Sequence, residues 1–202
     1  MKLFETEFDA SKNWLPYNGT VHFFGGIFNS EESQIKYTQL LSEIEWKNDE
    51  VIIYGKHIVT KRKTAWYGNK PYKMLYSKIE RIALPWNKVL LELKEKVEAK
   101  TGEVYNSCIC NLYHSGEEGM SWHADDEKEL KQNGSIASLS FGATRKFDLK
   151  HKTLKEKISF NLVSGELLEM KGEIQEHWLH SIPKTKKVLT PRINLTFRQI
   201  VK

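Results

Sequence analysis

The sequence predicts a mainly β fold of the α+β class, a sandwich or jelly roll in which two helices brace one sheet. From Val104 onward, short segments rich in β-branched and aromatic residues alternate with turn signals, as in a chain of many short strands. Upstream of Val104, apolar residues recur at helical spacing in two places. The turn signals are Ser115-Gly116, Asn133-Gly134, Ser164-Gly165 and Lys171-Gly172.

Two packing helices are predicted in the N-terminal half. The first begins at Asn29-Ser30-Glu31-Glu32, whose spacing fits a capping box, and runs for about four turns. The second begins after Pro85 and ends at Gly102, because glycine is favoured just past a helix C-terminus. Their apolar positions are Tyr37, Leu40, Leu41 and Ile44 in the first, and Trp86, Val89, Leu90, Leu93 and Val97 in the second.

Seven strands are predicted after the second helix, with no repeat or linker, so residues 1–202 are expected to form one domain. Both cysteines fall in the first strand. Their Cys-x-Cys spacing places Cys108 and Cys110 on one face, where we expect them to pack in the core rather than to bond to each other. The strands are 104–113, 135–141, 145–149, 157–163, 166–170, 177–182 and 192–201.

Composition narrows the class of protein. With 202 residues, 40% hydrophobic and 11% aromatic, the chain is large enough for a sizeable core. It has no apolar run of about 18 residues and no charged leader followed by an apolar stretch. We therefore expect an intracellular monomer without membrane contact, in the cytoplasm of a prokaryote or the nucleus of a eukaryote.

Residues 50–80 form a basic aromatic segment. The formal net charge of +5 is concentrated there, where lysines and Arg62 alternate with Tyr54, Trp66, Tyr67, Tyr72 and Tyr76. Surfaces that bind single-stranded nucleic acid or a flipped base combine cations, which contact the phosphates, with aromatic rings, which stack on the bases. This pattern predicts nucleotide recognition, although a half-exposed sheet face would show the same aromatic residues.

The run Ser121-Trp122-His123-Ala124-Asp125 contains a candidate metal site. On an extended chain His123 and Asp125 project to the same side, as two ligands of one metal must. With His180 they make the 2-His-1-carboxylate set that holds Fe(II) and leaves positions open for O2 and a cosubstrate. His177 is a competing third ligand, but His180 lies closer to the last strand.

The last strand has one polar face, formed by Arg192, Asn194, Thr196 and Arg198. Two arginines that face a core are costly unless they are paired, so a bound dicarboxylate such as 2-oxoglutarate is the simplest partner. Asn111 and Tyr113 share a face of their own strand and can contact the same ligand. The alternative is an internal partner for the arginines: Glu166, Glu169 or Asp148.

These motifs resemble those of the AlkB-like oxidative nucleic-acid dealkylases, in particular the DNA-repair branch that acts on duplex and single-stranded DNA. The resemblance implies a double-stranded β-helix, Fe(II) bound by His123, Asp125 and His180, and 2-oxoglutarate and O2 as cosubstrates. It also implies hydroxylation of an N-alkyl carbon, so that an aldehyde leaves and the base is restored. It implies 2-oxoglutarate binding by Asn111, Tyr113, Arg192, Thr196 and Arg198. The resemblance covers roughly Phe28–Lys202 and is dense in Asn111–Tyr113, His123–Glu127, Ile136–Ala143, His177–Pro183 and Pro191–Arg198.

The resemblance extends to the substrate. Tyr54 resembles the family residue that acts as a wedge and fills the gap left by a flipped base. Arg62 resembles a family arginine near the flipped strand. Tyr76 would stack on the base opposite His123. Asp126 would contact its exocyclic amine with Glu127 nearby. Two departures leave lesion and strand preference open: Met74 replaces an aromatic residue, and Thr60-Lys61-Arg62 replaces a proline-arginine pair.

The sequence therefore predicts a dealkylase of alkylated DNA bases, such as N1-methyladenine and N3-methylcytosine, with RNA as a further candidate substrate. Two alternatives remain at this point. One is a 2-oxoglutarate-dependent hydroxylase or demethylase of a protein or lipid, against which the basic aromatic segment argues. The other is an inactive jelly-roll binding module, against which the filled ligand positions argue.

Overall fold

The structure is a computed structural model that describes residues 9–53, 55–76 and 79–201, with the backbone alone at 53, 75, 76 and 79. In chain order the elements are β1 Thr20–Gly26, α1 Ser30–Glu43, β2 Lys47–Ile53, β3 Lys56–Gly68, β4 Lys73–Tyr76, β5 Ile79–Ile82, β6 Leu84–Pro85, α2 Lys88–Thr101, β7 Ser107–Tyr113, β8 Met120–His123, β9 Ile136–Gly142, β10 Arg145–His151, β11 Lys157–Leu162, β12 Glu166–Lys171, α3 Ile174–His177, β13 Trp178–Ile182 and β14 Arg192–Arg198.

Two sheets form the body of the domain. The large sheet has the order β1-β12-β9-β14-β7-β3-β2, with β6 added beside β3, and the small sheet has the order β11-β10-β13-β8. A core cluster joins them, since Phe23 and Leu168 of the large sheet pack with Leu149 and Phe160 of the small one. The predicted jelly roll is therefore confirmed. A separate hairpin, β4–β5, belongs to neither sheet.

The two predicted helices lie on the outer face of the large sheet. Asn29 caps α1, with the reciprocal contacts of a capping box through Glu32, and Gly102 ends α2 in a left-handed conformation. The apolar side of the helices packs on Cys108, Cys110 and the outward residues of β14. Both cysteines are buried and unbonded, as predicted. Within the described residues, no helix is long and apolar enough to cross a membrane.

The predicted strands after Val104 are present with small shifts at their ends, but the residue pattern did not predict the bounds of any strand before that point. β1 to β6 precede that point, and β8 was also missed. β1 ends in two glycines and β2 begins with four polar residues, so neither shows the β-branched alternation that marks a strand. His177 ends the short helix α3, and the strand predicted from 177 begins at Trp178.

The space between the sheets is apolar at one end and polar at the other. The apolar end contains Val21, Ile174 and Trp178 with the second core cluster. At the polar end the inward residues of β7, β9 and β14 are asparagines, serines, a threonine and arginines, all buried. Buried polar side chains need partners, so this end is where a ligand site belongs.

Gly142 is the last residue of β9, where it pairs with Arg192 of β14 at the polar end. Its φ is +82°, and an added Cβ would lie 2.6 Å from the carbonyl oxygen of Pro191. Gly142→Ala should therefore lower the free energy of unfolding by more than about 1 kcal/mol, measured from the urea midpoint. Gly102→Ala is the matched control, because its φ is +71° but nothing lies within 4 Å. Equal losses in the two variants would contradict the predicted clash.

Candidate metal centre and adjoining cavity

Strand pairing brings the two candidate histidine ligands together. His123 at the end of β8 is directly opposite His180 on β13, and their ring centroids are 4.1 Å apart. The Nδ1 atom of His123 lies 2.8 Å from the carbonyl oxygen of Ser121. Because a carbonyl only accepts, Nδ1 carries the proton and Nε2 keeps the electron pair that a metal needs.

Asp125 completes the group from the loop after β8. Its Oδ1 lies 3.7 Å from Nε2 of His123 and 3.9 Å from Nε2 of His180. Its Oδ2 lies 3.2 Å from Nη2 of Arg198, and its backbone N–H donates to Oε1 of Gln175 at 2.9 Å. The carboxylate of Asp125 is thus held by Arg198 of the large sheet, and the backbone of Asp125 is held by Gln175 of α3.

Electrostatics favour the protonation states that metal binding requires. Burial lowers the pKa of His180 to about 4, so its imidazole is neutral at pH 7. Burial alone would raise the pKa of Asp125, but the charge of Arg198 is the largest opposing effect, and the pKa of Asp125 is lowered overall. A neutral imidazole and an ionised carboxylate are the forms that coordinate a metal.

The donor set fits Fe(II). One ligand atom from each of His123, Asp125 and His180 lies within 4.8 Å of the other two. Two imidazoles and one carboxylate on one side of the ion are the facial set of Fe(II) oxygenases. His177 is not in this group among the described residues; its ring stacks on His151 and its Nε2 lies 3.7 Å from Glu173. The choice of His180 over His177 therefore agrees with the geometry.

The side chains predicted to bind 2-oxoglutarate come from two neighbouring strands. β14 pairs with β7 so that Arg192 is opposite Tyr113 and Asn194 opposite Asn111. Asn111, Tyr113, Thr196 and Arg198 line a cavity of about 620 Å³ together with His123, Asp125 and His180. Arg192 is not among its described lining residues; its guanidinium carbon lies 5.7 Å from the ring of Tyr113, which does line the cavity.

Three arginines surround the Tyr113 ring, at 5.7 to 5.9 Å from its centroid. Arg62 forms an ion pair with Asp49, and Arg145 donates to the carbonyl oxygens of Ser115, Glu118 and Pro183. Arg192 donates from Nη2 to Ser140 at 2.9 Å, whereas its buried Nε and Nη1 have no hydrogen-bond partner among the described residues. Arg192 is therefore suited to an anion from outside the chain.

The internal carboxylates proposed as partners of the arginines are used elsewhere. Glu169 contacts His22 and Lys171, and Asp148 contacts Lys146 and Lys157. The carboxylate of Glu166 accepts from the backbone N–H of Val163. In the described part of the chain the ion pairs of Arg198 are instead with Asp125 and Glu127. Burial lowers the pKa of Arg192 to about 10, as expected for a charge without a carboxylate beside it.

The predicted substrate residues lie at different depths. Met74 and Arg62 are buried and line the cavity, and Asp126 is exposed at its edge. Glu127 also lines it, with its Oε1 3.4 Å from Nη1 of Arg198. Tyr54 lies outside the described residues, and only the backbone of Tyr76 is described, at the end of β4. Their roles remain predictions.

Three residues of the site were missed by the motifs: Gln175, which holds the backbone of Asp125, and Asp49 and Arg81, which contact each other beside the cavity. None follows a recognisable spacing from the metal ligands. Gln175 lies in the short helix α3, just before the strand of His180, and no periodicity in the sequence predicts this helix. Asp49 lies in a polar stretch that looks like a solvent-exposed loop.

Comparison with known proteins agrees with this geometry. The family model of the 2OG-Fe(II) oxygenase superfamily matches residues 20–198. The alpha-ketoglutarate-dependent dioxygenase alkB homolog 3 of Bos taurus is 40% identical over 185 residues, which cover 87% of this chain and 64% of that protein. Its Homo sapiens counterpart is 38% identical over 190 residues, covering 89% of this chain and 66% of that protein. The DNA oxidative demethylase ALKBH2 of Homo sapiens is 35% identical over 186 residues, covering 87% of this chain and 71% of that protein.

The chain belongs to the AlkB-like 2OG-Fe(II) oxygenases. The solved structure of OsALKBH1 has the same fold, with a TM-score of 0.57 and 16% identity over 92% of this chain and 98% of that one. The chain spans slightly less than two thirds of the length of the alkB homolog 3 relatives. For an AlkB-like oxygenase, the cofactor is Fe(II) and the cosubstrate is 2-oxoglutarate, and the His123, Asp125 and His180 group suits the metal.

The metal assignment can be tested by comparing the two rival histidines. His123→Ala should lower the affinity for Fe(II) or Mn(II) by more than about 100-fold, because loss of a ligand exceeds the effect of losing a supporting residue. His177→Ala should leave that affinity unchanged, since its ring packs on His151. Titration calorimetry under anaerobic conditions measures both. Comparable losses in the two variants would contradict the assignment.

Proposed function

We propose that this AlkB-like oxygenase removes alkyl groups oxidatively from nitrogen atoms of DNA bases, as direct-reversal repair. The observation that carries the proposal is one cavity lined by the metal group and by the polar residues of β7 and β14. Similarity to proteins named DNA oxidative demethylase, at 35% identity, supports the choice of substrate. When bound, Fe(II) supplies the activation of O2, with 2-oxoglutarate as the electron donor.

The cosubstrate site in this proposal consists of Asn111, Tyr113, Arg192, Thr196 and Arg198. Arg192 binds one carboxylate of 2-oxoglutarate through the Nε and Nη1 atoms that have no described partner. Tyr113, between Arg192 and the cavity, donates its phenol to the same group. The guanidinium of Arg198 lies beside the metal ligand Asp125, and together with the amide of Asn111, which also lines the cavity, it orients the other end of the ligand.

The base site is proposed beside His123, where Asp126 and Glu127 line the cavity. A cationic alkylated adenine or cytosine is attracted by the carboxylates of Asp126 and Glu127. Because Asp126 is exposed, water screens its charge, and its larger contribution is a directed hydrogen bond to the exocyclic amine. Met74 supplies an apolar wall, and Tyr76 stacks on the base opposite His123. The roles of Met74 and Tyr76 rest on the family resemblance and on their place in the β4 strand.

The nucleic-acid strand is bound by the basic aromatic segment, residues 50–80. β2 and β3 form its hairpin, which carries Tyr54 as the proposed wedge between base pairs and exposed Lys56 and Lys61 beside it. Arg62 supports the flipped strand from inside the cavity wall. We propose DNA as the natural partner, single-stranded or duplex, bound by a monomer within the cell, with RNA as an additional substrate.

Oxidation of a protein or lipid is the competing function. A protein or lipid substrate would require neither the basic β2–β3 hairpin nor the carboxylates of Asp126 and Glu127, so this function explains fewer of the observed residues. An inactive binding module is opposed by the complete metal group.

Mass spectrometry of methylated oligonucleotides tests the proposal. Oligonucleotides that carry N1-methyladenine or N3-methylcytosine, as single strands, duplexes or RNA, should lose 14 mass units when Fe(II), 2-oxoglutarate and O2 are present, with His123→Ala as the inactive control. A methyl-lysine peptide should remain unchanged. Conversion of the peptide alone would replace the proposed function with the competing one.

Arg192 offers a separate test of the cosubstrate site. Arg192→Met should weaken 2-oxoglutarate binding by about 1.5–3 kcal/mol, the range for hydrogen bonds to a charged group. Arg192→Lys should recover part of it, because the charge remains but the bidentate fork is lost. Calorimetry with Mn(II)-loaded protein measures the affinity without turnover. An affinity equal to wild type in Arg192→Met would show that the carboxylate binds elsewhere.

A further inference from the structure

Asp49 is a buried carboxylate that contacts two arginines from different parts of the chain. Its Oδ2 accepts from Nη2 of Arg62 on β3, and its Oδ1 accepts from Nη2 of Arg81 on β5. We propose that Asp49 is a positioning residue that fixes the β4–β5 hairpin over the cavity and couples it to the cosubstrate side of that cavity. The proposal rests on the proposed function for what the cavity binds.

The backbone aims Asp49 inward. Asn48 and Glu50 are exposed on either side of buried Asp49, as strand alternation requires. These two neighbours pair with Lys63 and Val59 of β3, so the extra residues of the bulge are on β3 and include Arg62. Bulges turn a side chain away from the regular alternation and are frequent beside active sites. The Asp49 side chain is 0% exposed, although it lies in a run of charged and polar residues. A buried carboxylate needs cationic partners, and Arg62 and Arg81 provide one for each oxygen.

Met74 and Arg81 attach the β4–β5 hairpin to the rest of the domain. It pairs with neither main sheet in the described structure, and its apolar base is held by Met74, which packs with Trp66 and Ile200. On the cavity side its polar attachment is Arg81, which contacts Asp49 and, at 3.4 Å, the backbone oxygen of Glu50. Met74 and Arg81 both line the cavity. The position of the hairpin therefore sets the width of the cavity mouth.

Asp49 reaches the cosubstrate side through Arg62. The guanidinium carbon of Arg62 lies 5.9 Å from the ring centroid of Tyr113, and its Nη1 lies 3.5 Å from the sulfur of Met120. Burial opposes the charge on Arg62, but Tyr113 and Asp49 outweigh burial and raise the pKa of the guanidinium. Asp49 thus holds Arg62 against Tyr113 with one oxygen and Arg81 against the cavity mouth with the other.

This arrangement predicts different effects for the two partners. Asp49→Asn leaves two arginine charges facing each other without a counter-charge, so both attachments weaken. We expect about a tenfold loss in affinity for 2-oxoglutarate and about a tenfold rise in KM for a methylated oligonucleotide, the scale of one charge-assisted hydrogen bond at each site. Arg81→Met keeps the pair of Asp49 with Arg62, so only the oligonucleotide KM should rise.

Three measurements separate positioning from general destabilisation. The KM for a methylated oligonucleotide reports on the mouth, and calorimetry of 2-oxoglutarate with Mn(II)-loaded protein reports on the Tyr113 side. Hydrogen exchange of peptides that contain β4 and β5 reports on the hairpin without any activity. Asp148→Asn is the matched control, because Asp148 is another buried carboxylate with two cationic partners, Lys146 and Lys157, away from the cavity.

Faster exchange in the hairpin in Asp49→Asn and Arg81→Met, but not in Asp148→Asn, supports the proposal. The double variant should raise the oligonucleotide KM no further than Asp49→Asn alone, because both changes remove one attachment. Unchanged hairpin exchange, or fully additive effects on KM, overturns it. If Asp49→Asn does not fold, Arg81→Met carries the hairpin test. If the wild-type protein dealkylates no oligonucleotide, the proposed function fails, while hydrogen exchange and 2-oxoglutarate affinity still decide the role of Asp49.

Discussion

The site depends on the ion pair between Arg198 and Asp125, because this contact joins the metal loop to the large sheet. Asp125 is buried, and without a nearby cation its carboxylate would favour the neutral form, which does not bind a metal. Arg198 is available only because the alternation of β14 turns Arg192, Asn194, Thr196 and Arg198 inward while Ile193, Leu195 and Phe197 pack under the helices. Slipping β14 by one residue would turn Arg198 away from the carboxylate of Asp125 and Arg192 away from the interior at the same time.

The four buried arginines of the site differ in how their charges are balanced within the described residues. Arg62 has Asp49, Arg145 has backbone carbonyl groups, and Arg198 has Asp125 and Glu127. Arg192 has a serine hydroxyl in the described structure and no carboxylate. A buried cation balanced only by hydroxyl and aromatic groups destabilises the fold until an anion binds. The cosubstrate is in this sense part of the charge balance of the domain.

The sequence allowed the metal ligands and the polar face of β14 to be predicted, because strand alternation is local and the motifs are short. His180 could be chosen over His177 because it lies closer to the last strand, but the register that puts it opposite His123 could not be predicted, since no local rule joins residues so far apart. The N-terminal strands could not be predicted, because β2 and β3 are held by register rather than by an apolar pattern. Asp49 was missed for a related reason: it is buried between exposed Asn48 and Glu50, and an alternation made only of polar residues does not show which side faces inward.

Two ligands of opposite charge can share this cavity because the fold separates the signs. Arg62, Arg145 and Arg192 surround Tyr113, whereas Asp126 and Glu127 follow the metal ligand Asp125 in its loop. In the proposed function, a dicarboxylate is attracted to the Tyr113 side of the cavity and a cationic base to the side of Asp126 and Glu127. Asp125 contacts both regions, since it lies in the same loop as Asp126 and Glu127 and forms an ion pair with Arg198 of β14. A single carboxylate therefore carries the metal, neutralises one cation and divides the two binding regions.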